Sequence, residues 1–234
     1  MARSSKSPLG APLTTLYDFC TQTNCPDGTS PNGLVQASDG NFYGTTFRGG
    51  ANGYGMVFKI TPGGTLITLH SFNGTDGSYS QAGLVQATDG NFYGTTSGGG
   101  TNCYPYECGT VFKITPNGTL TTLYNFCSQS NCSDGDNPTA ALVQATDGNF
   151  YGTTEGGGAS GNCGSHGCGT LFKITPGGML PTVHASISLT ATILTPLYCK
   201  PLTETSMGQR REAGPAILAK MAAARSSKSP LEAC

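Results

Sequence analysis

The chain has 234 residues, 35 of them glycine, and only 11% are charged, which excludes a coiled coil and a charge-rich disordered protein. Its net charge of −1 leaves no basic footprint for nucleic acid or an anionic membrane surface. Nothing in it reads as the run of about 18 apolar residues that a membrane-spanning helix needs.

Residues 1–12 form a flank without the apolar stretch of a signal peptide. From residue 13 onward an internal repeat dominates. The string Gly-Leu-Val-Gln-Ala-Ser-Asp-Gly-Asn-Phe-Tyr-Gly-Thr-Thr occupies residues 33–46 and returns, nearly unchanged, at 83–96 and 141–154. A Gly-rich stretch follows each copy, then Val57-Phe58-Lys59-Ile60, Val111-Phe112-Lys113-Ile114 or Leu171-Phe172-Lys173-Ile174. Thr-Pro-x-Gly comes next, from Thr61, Thr115 and Thr175, and then a β-type run such as 65–72 or 119–126. Each unit reads as four short strands; in the second they are 84–87, 92–96, 110–114 and 120–126, rich in β-branched and aromatic residues. Asp89-Gly90-Asn91 and Pro116-Asn117-Gly118 supply the hairpin turns. No unit has helical period. Four-stranded units of this size, arranged radially, make a β-propeller; a parallel β-helix is the weaker alternative, because its rungs lack antiparallel hairpins.

The expected fold is therefore all-β: a β-propeller fragment of three to four four-stranded antiparallel blades over residues 13–184. The fourth unit begins at Thr175 and dissolves. Residues 185–234 form a non-repeat C-terminal tail, expected to be disordered or weakly helical, which holds half of all Lys and Arg and few glycines. The octapeptide Ala-Arg-Ser-Ser-Lys-Ser-Pro-Leu at residues 2–9 recurs verbatim at 224–231 and reads as a duplicated flank or scar outside the fold.

Eight of the ten cysteines form four pairs with four residues between: Cys20/Cys25, Cys103/Cys108, Cys127/Cys132 and Cys163/Cys168. Both members of a pair are present or absent together, as disulfides require. Each bridge would stabilise by about 2 kcal/mol. The competing reading, a four-thiolate zinc site, needs hooks from separate blades to meet. Disulfides imply an oxidising compartment, hence an extracellular or cell-surface protein. Cys199 and Cys234 have no patterned partner.

The two recurring strings, Gly-Leu-Val-Gln-Ala-x-Asp-Gly-Asn-Phe-Tyr-Gly-Thr-Thr and Val-Phe-Lys-Ile-Thr-Pro-x-Gly-Thr-Leu, resemble the GloVer-type tandem repeat of bacterial extracellular proteins, over residues 13–180. The resemblance implies a secreted or surface-anchored propeller-like protein with no general enzymatic activity attached to the repeat. A more distant similarity, in the Asp-Gly-Asn and Ile-Thr-Pro-x-Gly turns, is to streptogramin lyases, and it transfers no active site.

A search for catalytic chemistry yields no candidate. His70 takes the place of Tyr17 and Tyr124 in its repeat and reads as a structural substitute; His166 lies inside the fourth cysteine loop, and His184 at the breakdown of the last unit. Asp39, Asp89 and Asp147 recur directly before glycine in hairpins, which accounts for them without a carboxylate ring. Asp134 and Asp136 are a better calcium candidate but lack the other ligands of an EF-hand loop. Lys59, Lys113 and Lys173 are expected along blade edges. The Gly-rich loops lack the Lys-Ser/Thr of a phosphate loop.

In an up-and-down meander all four cysteine pairs and all length variation fall on one face, and binding concentrates on such variable loops. Arg48, Tyr54, Tyr104, Tyr106, Glu107, Glu155 and His166 are the side chains expected to bind there. The expectation is a non-catalytic extracellular binding or structural module, with no cofactor, no metal, no nucleic-acid partner and no membrane insertion, whose ligand is a protein or glycan. A lyase-like propeller enzyme and a truncated reading frame are the alternatives. Open apolar blade faces would favour self-association.

Overall fold

The computed structural model describes residues 13–101, 108–158 and 167–185, with backbone alone for 182–185. The tail, the recurring octapeptide, Cys199 and Cys234 lie outside the described residues. Thirteen strands and one turn of 3₁₀ helix are present among them, and every strand pairing is antiparallel.

Blade 1 contains β1 (Thr29–Pro31), β2 (Val35–Gln36), β3 (Phe42–Arg48), β4 (Met56–Ile60) and β5 (Leu66–Ser71). β1 and β2 both pair with β3 and form one interrupted inner strand. Blade 2 runs β6 (Val85–Gln86), β7 (Phe92–Thr96), β8 (Thr110–Ile114) and β9 (Leu120–Asn125). Blade 3 runs β10 (Val143–Gln144), β11 (Phe150–Thr154), β12 (Thr170–Ile174) and β13 (Thr182–Ala185). The inner strands are shorter than the sequence pattern implies. Single bridges, Ser78 with Gly98 and Asp136 with Gly156, extend them in blades 2 and 3.

Blades stack through their faces, and the core consists of the layers between them. Because side chains alternate along a strand, Val57 points toward blade 2, while Phe58 and Ile60 point the other way. Tyr43 stacks on Phe92 and Tyr93 on Phe150, each at 4.0 Å between ring centroids. Phe72 meets Phe112 edge-on at 5.3 Å, and Phe126 meets Phe172 at 5.1 Å. Polar contacts repeat with the rings. Thr45 and Thr95 hydroxyls donate to the Ala82 and Ala140 carbonyls, and the Ser38 and Thr88 amides donate to the Gln86 and Gln144 side chains. Two adjoining layers are therefore copies of one interface.

Glycine in Phe-Tyr-Gly-Thr-Thr has a packing reason. A Cβ on Gly44, Gly94 or Gly152 would lie 2.7, 2.6 or 2.5 Å from the tip of Phe58, Phe112 or Phe172. The bare backbone lets the ring lie flat across its own sheet.

Candidate functional site

At the short-turn end of each blade one polar group recurs. The Asp39 carboxylate accepts from the Asn41 amide (3.0 Å), the Tyr43 hydroxyl (2.8 Å) and Lys59 Nζ (3.1 Å). Asp89 accepts equivalently from Asn91, Tyr93 and Lys113, and Asp147 from Asn149, Tyr151 and Lys173. Hydrogen bonds from Asn41 hold Asp39 well below the usual carboxylate range, and those from Asn149 and Lys173 do the same for Asp147. Burial pulls Asp89 upward, but its donors outweigh that and leave it at about 2. Burial, with the neighbouring carboxylate, pushes Tyr43 and Tyr93 up. The turn explanation for the three acids therefore holds. The three lysines, expected at blade edges, instead close ion pairs onto them, because each lysine is the cross-strand partner of the tyrosine that reaches the same carboxylate.

A second recurring acid ties the links between blades. Asp27 accepts from the Tyr17 hydroxyl, Asp76 lies 2.8 Å from His70 Nε2, and Asp134 accepts from the Tyr124 hydroxyl. His70 thus occupies the tyrosine position, and like Tyr17 and Tyr124 it meets the following phenylalanine edge-on. Asp134 is fully buried, and its oxygens also accept from Ser128 N, Ser128 Oγ and Gln129 N. Those donors occupy the carboxylate considered above for calcium. Burial, with the Asp134 contact, drives Tyr124 up to about 12.

At the opposite end lie the long loops. The amides of Gly50, Gly100 and Gly158 donate to the carbonyls of Cys25, Gly74 and Cys132, so each β3–β4-type loop rests on the preceding link. Gly49, Gly99 and Gly157 have positive φ and no room for a Cβ at this crossing, which accounts for the recurring Gly-Gly pair. Cys20–Cys25 and Cys127–Cys132 are disulfides, and Cys108 and Cys168 are disulfide-bonded; Cys103 and Cys163 lie outside the described residues. Cysteines from separate hooks meet on this face. The sulfurs of Cys108, Cys127 and Cys132 lie within 4.8 Å of one another, because the loop of blade 2 and the link into blade 3 share this face.

Between the loop ends of blades 1 and 2 sits a cluster that the other blades lack. The Arg48 guanidinium carbon lies 5.3 Å from the Phe47 ring centroid and 5.7 Å from that of Tyr79. Tyr79 also contacts Phe47 at 5.3 Å and Tyr54 at 6.0 Å. Its backbone amide donates to the Tyr54 carbonyl. Phe47-Arg48 stands where the repeat has Ser97-Gly98 and Glu155-Gly156, and Tyr54 where it has Cys108. Tyr79 has φ 57, as Ser30 (53) and Asn137 (52) do at the same position, so this backbone shape belongs to the blade and the ring is the addition. Arg48 is exposed, and among the described residues the ion pairs use other cations.

Of the residues predicted to bind, Arg48 and Tyr54 are brought together. Glu155 lies one gap further on, accepting from Asn137 Nδ2 at 3.0 Å. Tyr104, Tyr106, Glu107 and His166 lie outside the described residues. Sequence reasoning missed Phe47 and Tyr79; their departure from the repeat was the available signal. Among the described residues no helix is long and apolar enough to cross a membrane.

The profile of a family described as the Gloeobacter/Verrucomicrobia repeat matches residues 7–198. Among curated proteins none matches the sequence. Solved structures with a similar fold include a Xanthomonas campestris protein titled a gluconolactonase, at 15% identity and a TM-score of 0.45, covering 78% of this chain and 54% of that one. Another, titled by assignment a 6-phosphogluconolactonase of Bacteroides uniformis, shows 14% identity and a TM-score of 0.34, covering 58% and 34%. The chain thus spans about half or less of the length of these structures.

Proposed function

We propose, for a chain that belongs to the Gloeobacter/Verrucomicrobia repeat family, a non-catalytic role outside the cell as a binding module that takes an acidic glycan on its long-loop face. The observation that carries this reading is the Phe47, Arg48, Tyr54 and Tyr79 cluster. Its four residues depart from the repeat and line both sides of one gap, three from blade 1 and Tyr79 from the entry to blade 2, and the gap between blades 2 and 3 does without them. An exposed guanidinium steadied over two rings presents a planar, permanent cation, suited to a carboxylate in bidentate contact. The tyrosine rings beside it offer flat apolar faces with polar rims, which match a sugar ring.

The absence of catalysis is supported by what the recurring acids do. A general acid must be protonated near working pH, and a general base must reach its substrate. Asp39, Asp89 and Asp147 are held below the usual carboxylate range with their oxygens engaged by local donors. Extracellular placement is supported by the disulfides at Cys20–Cys25 and Cys127–Cys132, which persist in oxidising compartments.

The test is an array of acidic and neutral glycans probed with the wild type and with Arg48→Gly and Tyr79→Asn. Both variants install residues the repeat already uses at those positions, so the backbone should survive. Selective capture of acidic glycans, lost in both variants, supports the reading. Capture unaffected by either variant, or no capture at all, overturns it.

A further inference from the structure

Residues 13–20 read Leu-Thr-Thr-Leu-Tyr-Asp-Phe-Cys, and residues 120–127 read Leu-Thr-Thr-Leu-Tyr-Asn-Phe-Cys, which is the outer strand β9 and its continuation. The likeness extends to packing. Phe19 meets Phe58 edge-on at 5.1 Å, just as Phe72 meets Phe112 and Phe126 meets Phe172. The Leu16 carbonyl crowds Gly64 in the way that the Leu69 and Leu123 carbonyls crowd Gly118 and Gly178. Residues 13–20 thus hold the outer-strand seat against blade 1, yet among the described residues they pair with no strand. Beside them is an apolar cleft of 510 Å³, lined by Leu16, Phe19, Leu34, Phe58 and Ile60 among others. Leu34 is 59% exposed there, while its equivalents Leu84 and Leu142, covered by a preceding blade, are 7% and 4% exposed.

The far side of blade 3 is the matching half. Leu171 is 47% exposed, while its equivalents Val57 and Val111 are fully buried. The outer strand of blade 3 also departs from the pattern. In blades 1 and 2 the outer strand shifts register after Val57 and Val111, and Lys59 and Lys113 face Ile67 and Thr121. β13 has no such shift, and Lys173 faces Thr182. The position matching Ile67 and Thr121 is Pro181, which has no amide hydrogen to give a ladder.

We propose that residues 13–20 serve as the outer strand of blade 3 in a second copy of this chain, in the place of β13, so that chains join head to tail. The occupant of the cleft is then the inner part of that copy's blade 3, and the contact is the blade interface the chain already makes twice. The polar partners for a third copy of it are present on both faces. Thr153 is exposed on the blade 3 side, where Thr45 and Thr95 donate across their layers, and the Gln36 side chain matches Gln86 and Gln144 on the receiving side. A heterologous contact of this kind closes into a ring or continues as a filament.

Sedimentation equilibrium of the full oxidised chain tests this. The expected mass rises with concentration to at least twice 24.0 kDa. A synthetic peptide of residues 13–19 should bind and lower it again. Phe19→Ala should weaken association by at least about tenfold, a lower bound for a half-buried ring removed from the contact. Pro181→Thr, which returns an amide to the position directly before β13, should weaken it by about two- to tenfold, the worth of one main-chain hydrogen bond. Because Phe19→Ala removes packing within the chain too, the peptide and Pro181→Thr carry the decision. A monomer across the concentration range, or association indifferent to both, overturns the proposal.

Discussion

Replacing Gly94 by alanine puts one methyl group into the tightest place in the middle blade. That Cβ would sit 2.6 Å from Phe112 Cζ and 2.9 Å from Leu84 Cδ2, against about 3.5–4.0 Å for a comfortable carbon contact. The Phe112 ring is fully buried and has no free space to swing into, with Phe72 packed edge-on against it at 5.3 Å. It must shift by roughly 1 Å, disturbing a layer that also holds Tyr43 and Phe92. Overpacking of this kind costs about 1–3 kcal/mol, which for a chain of this length lowers the melting temperature by roughly 2–12 °C. Gly63→Ala is the control. Gly63 lacks a positive φ, and its added Cβ would meet Thr61 Oγ1 at an ordinary 3.8 Å, so the change should be neutral or stabilise by up to about 1 kcal/mol. Thermal denaturation followed by circular dichroism gives both values. Phe112→Leu in the Gly94→Ala background completes a double-mutant cycle, in which the pair should be less damaging together than the sum of the singles. Tolerance of Gly94→Ala within about 0.5 kcal/mol, or strict additivity, would refute the close-approach argument.

Two further outcomes follow from the polar network and a third from the cysteines. Asp39, Asp89 and Asp147 are lowered from the unfolded carboxylate value of about 4. Their contribution is therefore full well above pH 4 and shrinks as pH falls below it, ending near pH 2 for Asp89 and lower still for Asp39 and Asp147; melting from pH 7 to 2 should show a progressive loss below about pH 4, and an Asp→Asn triple variant should show a flatter profile. Asp134→Ala removes a fully buried carboxylate that ties the Tyr124 hydroxyl and the Ser128 amide and hydroxyl together, so it should cost about 1–3 kcal/mol by urea denaturation. Non-reducing peptide mapping should recover Cys20 with Cys25 and Cys127 with Cys132; dominant pairing between loops would contradict the fold of the long-loop face.

The blades were legible because their signals are local. Alternating β-branched and aromatic residues, Asp-Gly-Asn turns and a three-fold repetition point to one architecture without long-range information. What stayed hidden depends on register across strands. Lys59 reaches Asp39 only because Lys59 and Tyr43 are cross-strand partners, a fact that no spacing along the chain displays. Cys108 and Cys127 belong to different elements of the repeat, and only the packing of one blade's loop on the next link brings their sulfurs together. The candidate site was half legible. Arg48 and Tyr54 stood out as chemistry on a variable loop, whereas Tyr79 enters from the following blade, and Phe47 shows its value only as the ring beneath Arg48.

The most direct test of a non-catalytic binding face is chemical-shift mapping of the full chain titrated with polygalacturonate oligosaccharides. β3 separates the two ends of blade 1 by about 20 Å, with the Asp39 group at one end and Arg48 at the other. The account predicts saturable shifts at Phe47, Arg48, Tyr54 and Tyr79, with the oligosaccharide recovered intact. Shifts confined to the Asp39, Tyr43 and Lys59 end, or conversion of the oligosaccharide during the titration, would contradict it.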